Sequence, residues 1–143
     1  MPKSTTFSND LVALIFNATA IANLADNAGA APATNLYLSL HTATPGIGGA
    51  QTTNETAYTN YARIPITRNA GGWTVAGSQV NNTALAQFAQ CGVTGGTITH
   101  VAVGTGASGA GKVLYAGALS SALAVSLGIQ PQFAALALSV TES

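Results

Sequence analysis

Charge is what this chain has least of. Lys3, Arg63, Arg68 and Lys112 are its basic residues, and Asp10, Asp26, Glu55 and Glu142 its acids. Together they make up 6% of the sequence, where an ordinary soluble domain carries about 25%. No basic stripe is available to neutralise phosphates, which excludes nucleic-acid binding by charge. There is no acidic tail and no basic amphipathic helix. Cysteine is nearly absent too. Cys91 stands alone, so no internal disulfide can form, and it reads as a small buried hydrophobe. Long apolar runs are missing. The strongest, Leu11 to Phe16, is far short of the roughly 20 residues a membrane span needs. Asp10 before it and Asn17 after it also argue against a cleaved signal peptide.

What remains is a chain of small neutral residues. Thr, Ser, Asn, Gln, Gly and Ala must supply the surface. Near-zero net charge favours association, and a surface without ions loses little hydration when a neighbour covers it. This points to a subunit of a permanent assembly. An ordinary globular domain of biased composition is the alternative. At 143 residues the chain fits one domain, divided as residues 1–32, an N-terminal helix and linker, and 33–143, a β-sandwich.

The hydrophobic pattern changes period along the chain. Leu11, Leu14, Ile15, Ala18, Ile21, Ala22 and Ala25 share one helical face. Ser8 or Asn9 caps the predicted helix, Asp10 sits in its first turn, and Gly29 and Pro32 end it. Such a helix covers its own sheet or, in the other reading, docks on a partner. From Leu36 the period is two: Leu36, Leu38 and Leu40 alternate with Tyr37, Ser39 and His41, a half-buried strand. Further strands are expected over 58–67, 73–80, 84–88, 97–103, 113–119, 122–127 and 133–140. Pro65 places its strand at an edge or a bulge, and Gly77 interrupts another. Thr44 to Thr59 and Gly104 to Gly111 are loops. About eight short strands with a turn every 8–12 residues are the pattern of an antiparallel β-sandwich or barrel.

Few residues could carry chemistry. Gly104-Thr105-Gly106-Ala107-Ser108-Gly109 matches a dinucleotide fingerprint, but no acid follows until Glu142 and no helix pattern opens after it. The overlapping run ending Gly111-Lys112 lacks the hydroxyl that a phosphate loop needs next, because Val113 stands there. His41, His100 and Cys91 lack the spacing of metal ligands. A nucleophile would need one of the two histidines plus an orienting acid, and acids are scarce. The sequence therefore predicts no catalytic residues, no metal and no cofactor. Tyr37, Tyr58, Tyr61, Trp73 and Tyr115 could build a sugar platform or interface anchors, with core packing the commoner use.

Several segments carry a family likeness. They are Leu36-Tyr37-Leu38-Ser39-Leu40-His41-Thr42-Ala43-Thr44-Pro45-Gly46, Asn54 to Arg63 followed by Trp73, Thr99 to Thr105, Val113 to Leu119, and Gly128 to Phe133. Together they resemble small virion proteins of tailed phages, including proteins described as tail-fibre-like and capsid cement or decoration proteins. The resemblance implies a jelly-roll-like antiparallel β-sandwich with one N-terminal α-helix and no catalytic residues. It leaves head or tail open; the expected role is a cement protein on the capsid surface, assembled in the host cytoplasm, which fits the absence of disulfides. Its partners would be the major capsid protein and copies of itself, as dimer or trimer, with no nucleic acid and no membrane. A tail-fibre or baseplate component is the alternative, although no shaft repeat is present. A carbohydrate-binding module is the alternative of another class. The expected contact region comprises Thr44, Pro45, Gly46, Glu55, Tyr58, Tyr61, Arg63 and Arg68.

Overall fold

The computed structural model describes residues 3–21, 24–25 and 32–143. Ala22 and Gly29, which figure in the helix reading, lie outside the described residues. The fold is mainly β, with antiparallel pairing and one N-terminal helix, as the alternation predicts. Two compact units are interleaved along the sequence. One is drawn from Met1–Asn35, Ile66–Ala86 and Phe133–Ser143, the other from Leu36–Pro65 and Gln87–Gln132.

The first unit holds α1 (Thr5–Asn17). It begins and ends earlier than its periodicity suggests. Ser4 is the N-cap, its Oγ accepting from the Phe7 amide at 3.2 Å. Ser8 and Asn9 are therefore inside the helix, and Asp10 lies beyond its first turn. The helix stops at Ala18, which adopts a left-handed φ of 55°. The Thr19 amide then closes on the Ala13 carbonyl at 3.1 Å, a terminating geometry that glycine usually supplies. Ser8, Val12 and Phe16 form the buried stripe, one residue every helical turn. Phe16 meets Trp73 edge to face, centroids 4.8 Å apart.

The expected strand 73–80 is a hairpin. β3 (Trp73–Ala76) and β4 (Gln79–Asn82) pair antiparallel across Gly77-Ser78, with Gly77 at a φ of 61° that favours glycine. The expected strand 133–140 is likewise two pieces, β8 (Gln132–Phe133) and β9 (Ser139–Thr141). The first sheet runs β3-β4-β9. Asn82 shapes the piece between. It is fully buried, donates to the carbonyls of Ala84 and Ala134 at 2.7 and 2.8 Å, and accepts the Leu138 amide at 2.8 Å. A backbone that makes no ladder there finds its hydrogen bonds on one side chain.

The larger sheet runs β2-β1-β6-β7, from β1 (Asn35–His41), β2 (Ile64–Thr67), β6 (Gly96–Gly104) and β7 (Val113–Val125). The expected strand 58–67 shrinks to its last four residues, and Pro65 does lie in an edge strand. β5 (Ala86–Gln87) replaces the longer strand expected over 84–88 and pairs with β8. The two strands expected over 113–119 and 122–127 are one, because no turn interrupts them. β1 is central, and its expected half-burial is wrong. Leu36, Leu38 and Leu40 are buried, and so are Ser39 and His41. With Ile98, Tyr58, Phe88 and Cys91 the three leucines form the core of the second unit.

Candidate functional site

The second unit gathers nearly all the chain's unusual polar chemistry. Ser39 and His41, two apart on β1, point to the same face. The His41 Nδ1 lies 3.0 Å from the Thr53 carbonyl. A carbonyl only accepts, so Nδ1 carries the proton and Nε2 is left as acceptor. Ser39 Oγ, 2.9 Å from Nε2, donates to it. Burial lowers the His41 pKa, outweighing the Thr53 hydrogen bond and Glu55, which raise it; Arg63 and His100 lower it further. The ring is neutral at pH 7. A serine hydroxyl on a neutral imidazole has the outline of a catalytic dyad. Both residues are 0% exposed, however, and a backbone carbonyl stands where an orienting acid would. The pair satisfies its own buried polar atoms.

Gln51 extends this cluster and is also 0% exposed. Its Nε2 donates to the Tyr37 carbonyl at 3.3 Å and Ser39 Oγ at 3.4 Å. Its Oε1 accepts the Gly106 amide at 2.8 Å, and its own amide donates to the Gly111 carbonyl at 2.8 Å. A Cβ at Gly104 or Gly111 would lie 2.2 Å from the Gln51 side chain. The glycine-dense loop thus makes room for a glutamine.

Arg63 holds the loop from its other side. Its Nε and Nη2 form a bidentate pair with the two Glu55 carboxylate oxygens, both at 2.7 Å. Nη1 donates to the Gly106 carbonyl at 2.9 Å and Nη2 to the Gly109 carbonyl at 2.8 Å. These hydrogen bonds to Glu55 raise the Arg63 pKa despite desolvation. Tyr61 donates to Glu55 Oε1 at 2.8 Å and accepts the Leu40 amide at 3.0 Å; burial pushes its pKa up. In a phosphate loop the amides converge on an anion. Here two carbonyls converge on a cation, and the chain continues into β7 rather than a helix.

The expected contact residues therefore divide. Glu55, Tyr61 and Arg63 are joined to one another inside the second unit. Tyr58 is buried, its hydroxyl donating to the Ala89 carbonyl at 2.8 Å, and burial pushes its pKa up to about 12. Arg68 belongs to the first unit, where its guanidinium donates to the carbonyls of Leu14, Ile15 and Ala33. It caps the C-terminal end of α1, where the dipole favours a cation. Pro45 is buried, and Thr44 and Gly46 are exposed. The sequence reading missed Gln51, Ser39 and Asn82. Ser39 was signalled by its alternation with the leucines; Gln51 and Asn82 had no signal in the sequence.

The loop from Thr44 to Thr59 is tied down. Thr42 and Thr56 amides bond Asn54 and Leu40 carbonyls at 2.8 and 2.9 Å, and Asn54 Nδ2 bonds the Thr44 carbonyl at 2.8 Å. Its tip alone stands out: Ile47 is 111% exposed, between Gly46 and Gly48 at positive φ. Of the aromatics, Trp73 and Tyr58 are only 1% and 3% exposed and serve the core. Among the described residues no three His, Cys, Asp or Glu side chains gather as a metal site, and no helix is long and apolar enough to cross a membrane.

No curated protein matches the chain. Residues 2–141, nearly its whole length, match one protein family, described as the podophage GP4 fiber I protein gp80. The chain belongs to that family of phage fibre proteins and is a structural protein of the virion.

Proposed function

We propose that this chain is a non-catalytic subunit of a fibre on a tailed-phage particle, joined to neighbouring proteins by neutral surface. The observation that carries this reading is the chain-long match to a fibre family. The chemistry supports it. The guanidinium groups of Arg63 and Arg68 are engaged inside the chain, leaving Thr, Ser, Ala and Gly to meet a partner at small desolvation cost. The tip Thr44–Gly48 is the contact element, with Ile47 as its apolar anchor.

A cement role on the capsid surface, bridging subunits of the major capsid protein, is the second reading. The lack of a repeating shaft sequence favours it. Immunogold labelling of intact particles separates the two, marking either the appendages or the head shell.

Ile47→Asp changes one exposed side chain and leaves the core alone. The variant is expected to keep the wild-type melting temperature and to enter particles at least tenfold less. Normal incorporation would overturn the tip as the contact.

A further inference from the structure

We propose that Gly106, Gln51, Ser39, His41 and Thr53 form a one-way hydrogen-bond relay across β1, and that one proton placed on His41 breaks it and frees the loops at 50–55 and 104–111 together. Both ends of the relay are backbone groups, whose roles are fixed. At one end the Gly106 amide can only donate, so the atom 2.8 Å from it is the Gln51 carbonyl oxygen. At the other the Thr53 carbonyl can only accept, which puts a hydrogen on His41 Nδ1.

The middle follows from the ends. With Oε1 on Gly106, Gln51 Nε2 donates to the Tyr37 carbonyl and to Ser39 Oγ. Ser39 therefore accepts from Gln51 and sends its single hydrogen to His41 Nε2. Ser39, His41 and Gln51 are each 0% exposed, so bulk water cannot replace a lost partner. Such a buried line is satisfied in one direction and fails when one member changes role.

His41 Nε2 is the basic atom in the line. A proton there makes both ring nitrogens donors. Ser39 Oγ then meets an N–H from His41 and another from Gln51, and its own hydrogen loses the lone pair it pointed at. Lifting the segment 50–55 resolves the conflict. It carries off Gln51 and Thr53 at one stroke and brings water to the imidazole. The Gly106 amide and the Gly111 carbonyl lose their Gln51 partner in the same step.

The charges around the ring act on the same event. His100 stands opposite His41 in the β1–β6 ladder. His100 and Arg63 oppose a proton on His41, while Glu55 and the Thr53 carbonyl favour it; burial opposes it most strongly. Tyr61, hydrogen-bonded to Glu55 and pushed up by burial, stays neutral at these pH values. Arg63 keeps the Gly106 and Gly109 carbonyls, so the glycine loop opens on its Gln51 side. The relay does not depend on whether the chain sits in a fibre or on a shell.

The test is amide hydrogen exchange on the full chain by NMR, with protection corrected for the intrinsic rate at each pH. The Gly106 and Gln51 amides report on the two loops. From pH 7 to pH 5 both are expected to lose at least tenfold in protection, in parallel, and to stay at least tenfold below the amides of the β1–β6 ladder. The loss is expected to follow the ring titration of His41 and not that of His100. His41→Gln keeps a donor for Thr53 and an acceptor for Ser39, and it is expected to abolish the loss; His100→Gln is expected to leave it in place. The wild-type titration needs no variant, so it decides the matter if His41→Gln does not fold. Protection that holds at pH 5, or falls in one loop alone, overturns the relay. So does a loss that follows His100 or persists in His41→Gln. Loops and ladder converging on one value would mean that the unit unfolds as a whole, and would overturn it too.

Discussion

Arg63 is 8% exposed and answers four acceptors: two carboxylate oxygens of Glu55 and two loop carbonyls. Removing one partner of a buried pair costs more than the pair itself contributes, because the other charge is left uncompensated. Arg63→Ala is expected to lose about 3–5 kcal/mol of unfolding free energy in urea. Arg63→Lys keeps the charge but loses the planar fork, and should fall between that variant and wild type. A loss below about 1 kcal/mol for the alanine variant would show the pair to be exposed in solution.

His41 sets a pH dependence of known sign. Burial is the chief cause of its lowered pKa. The unfolded chain therefore binds its proton first as pH falls below the usual value of about 6.5. Stability from this group is full above that pH and declines as pH drops towards the folded pKa. The melting temperature is expected to fall between pH 7 and pH 5. His41→Gln can still donate to Thr53 and accept from Ser39, and it should flatten that slope. An equal slope in both proteins would assign the acid sensitivity elsewhere.

At the scale of elements, the glycine loop and Gln51 are one device. Gly104 faces the Gln51 side chain so closely that a Cβ would sit 2.2 Å from it, and Gln51 cannot swing away without abandoning the Gly106 amide. Gly104→Ala is expected to cost about 1–3 kcal/mol by overpacking. In a Gln51→Ala background most of that added cost should vanish, a coupling of about 1–2 kcal/mol in a double-mutant cycle followed by urea unfolding. Strict additivity would mean that the clash is relieved by backbone movement instead.

The same elements show what the sequence could and could not reveal. The leucines of β1 and the proline of β2 were legible because alternation and a missing amide act locally. The helix end was not, because Ala18 takes a turn that glycine normally marks, and Arg68, distant in sequence, serves the carbonyls of that end. The stretch 134–138, inside the strand expected over 133–140, makes no ladder; its Ala134 carbonyl and Leu138 amide are held by the buried Asn82 side chain. Arg63 and Arg68 looked like surface contacts because arginine usually is exposed. Glu55 is near Arg63 in the chain, but the Gly106 carbonyl that Arg63 also holds lies 43 residues away and the Ile15 carbonyl held by Arg68 lies 53 away, beyond any local pattern.

At the scale of the molecule, scarcity of charge governs how copies meet. Lys3 pairs with Glu142 and Arg63 with Glu55, while Arg68 serves the end of α1. Few charges remain to steer or repel a neighbour. Charged interfaces weaken as salt shortens the Debye length from about 10 Å at 0.1 M to 3 Å at 1 M. A neutral surface of Thr, Ser, Ala and Gly has no ion pairs to screen. The dissociation constant of the assembled chain is therefore expected to change by less than about threefold between 0.05 and 0.5 M sodium chloride, where steered contacts shift steeply. Analytical ultracentrifugation across that range measures it. A tenfold weakening with salt would place the contact on the few remaining charged residues, such as Lys112 and Asp10, and not on the neutral surface.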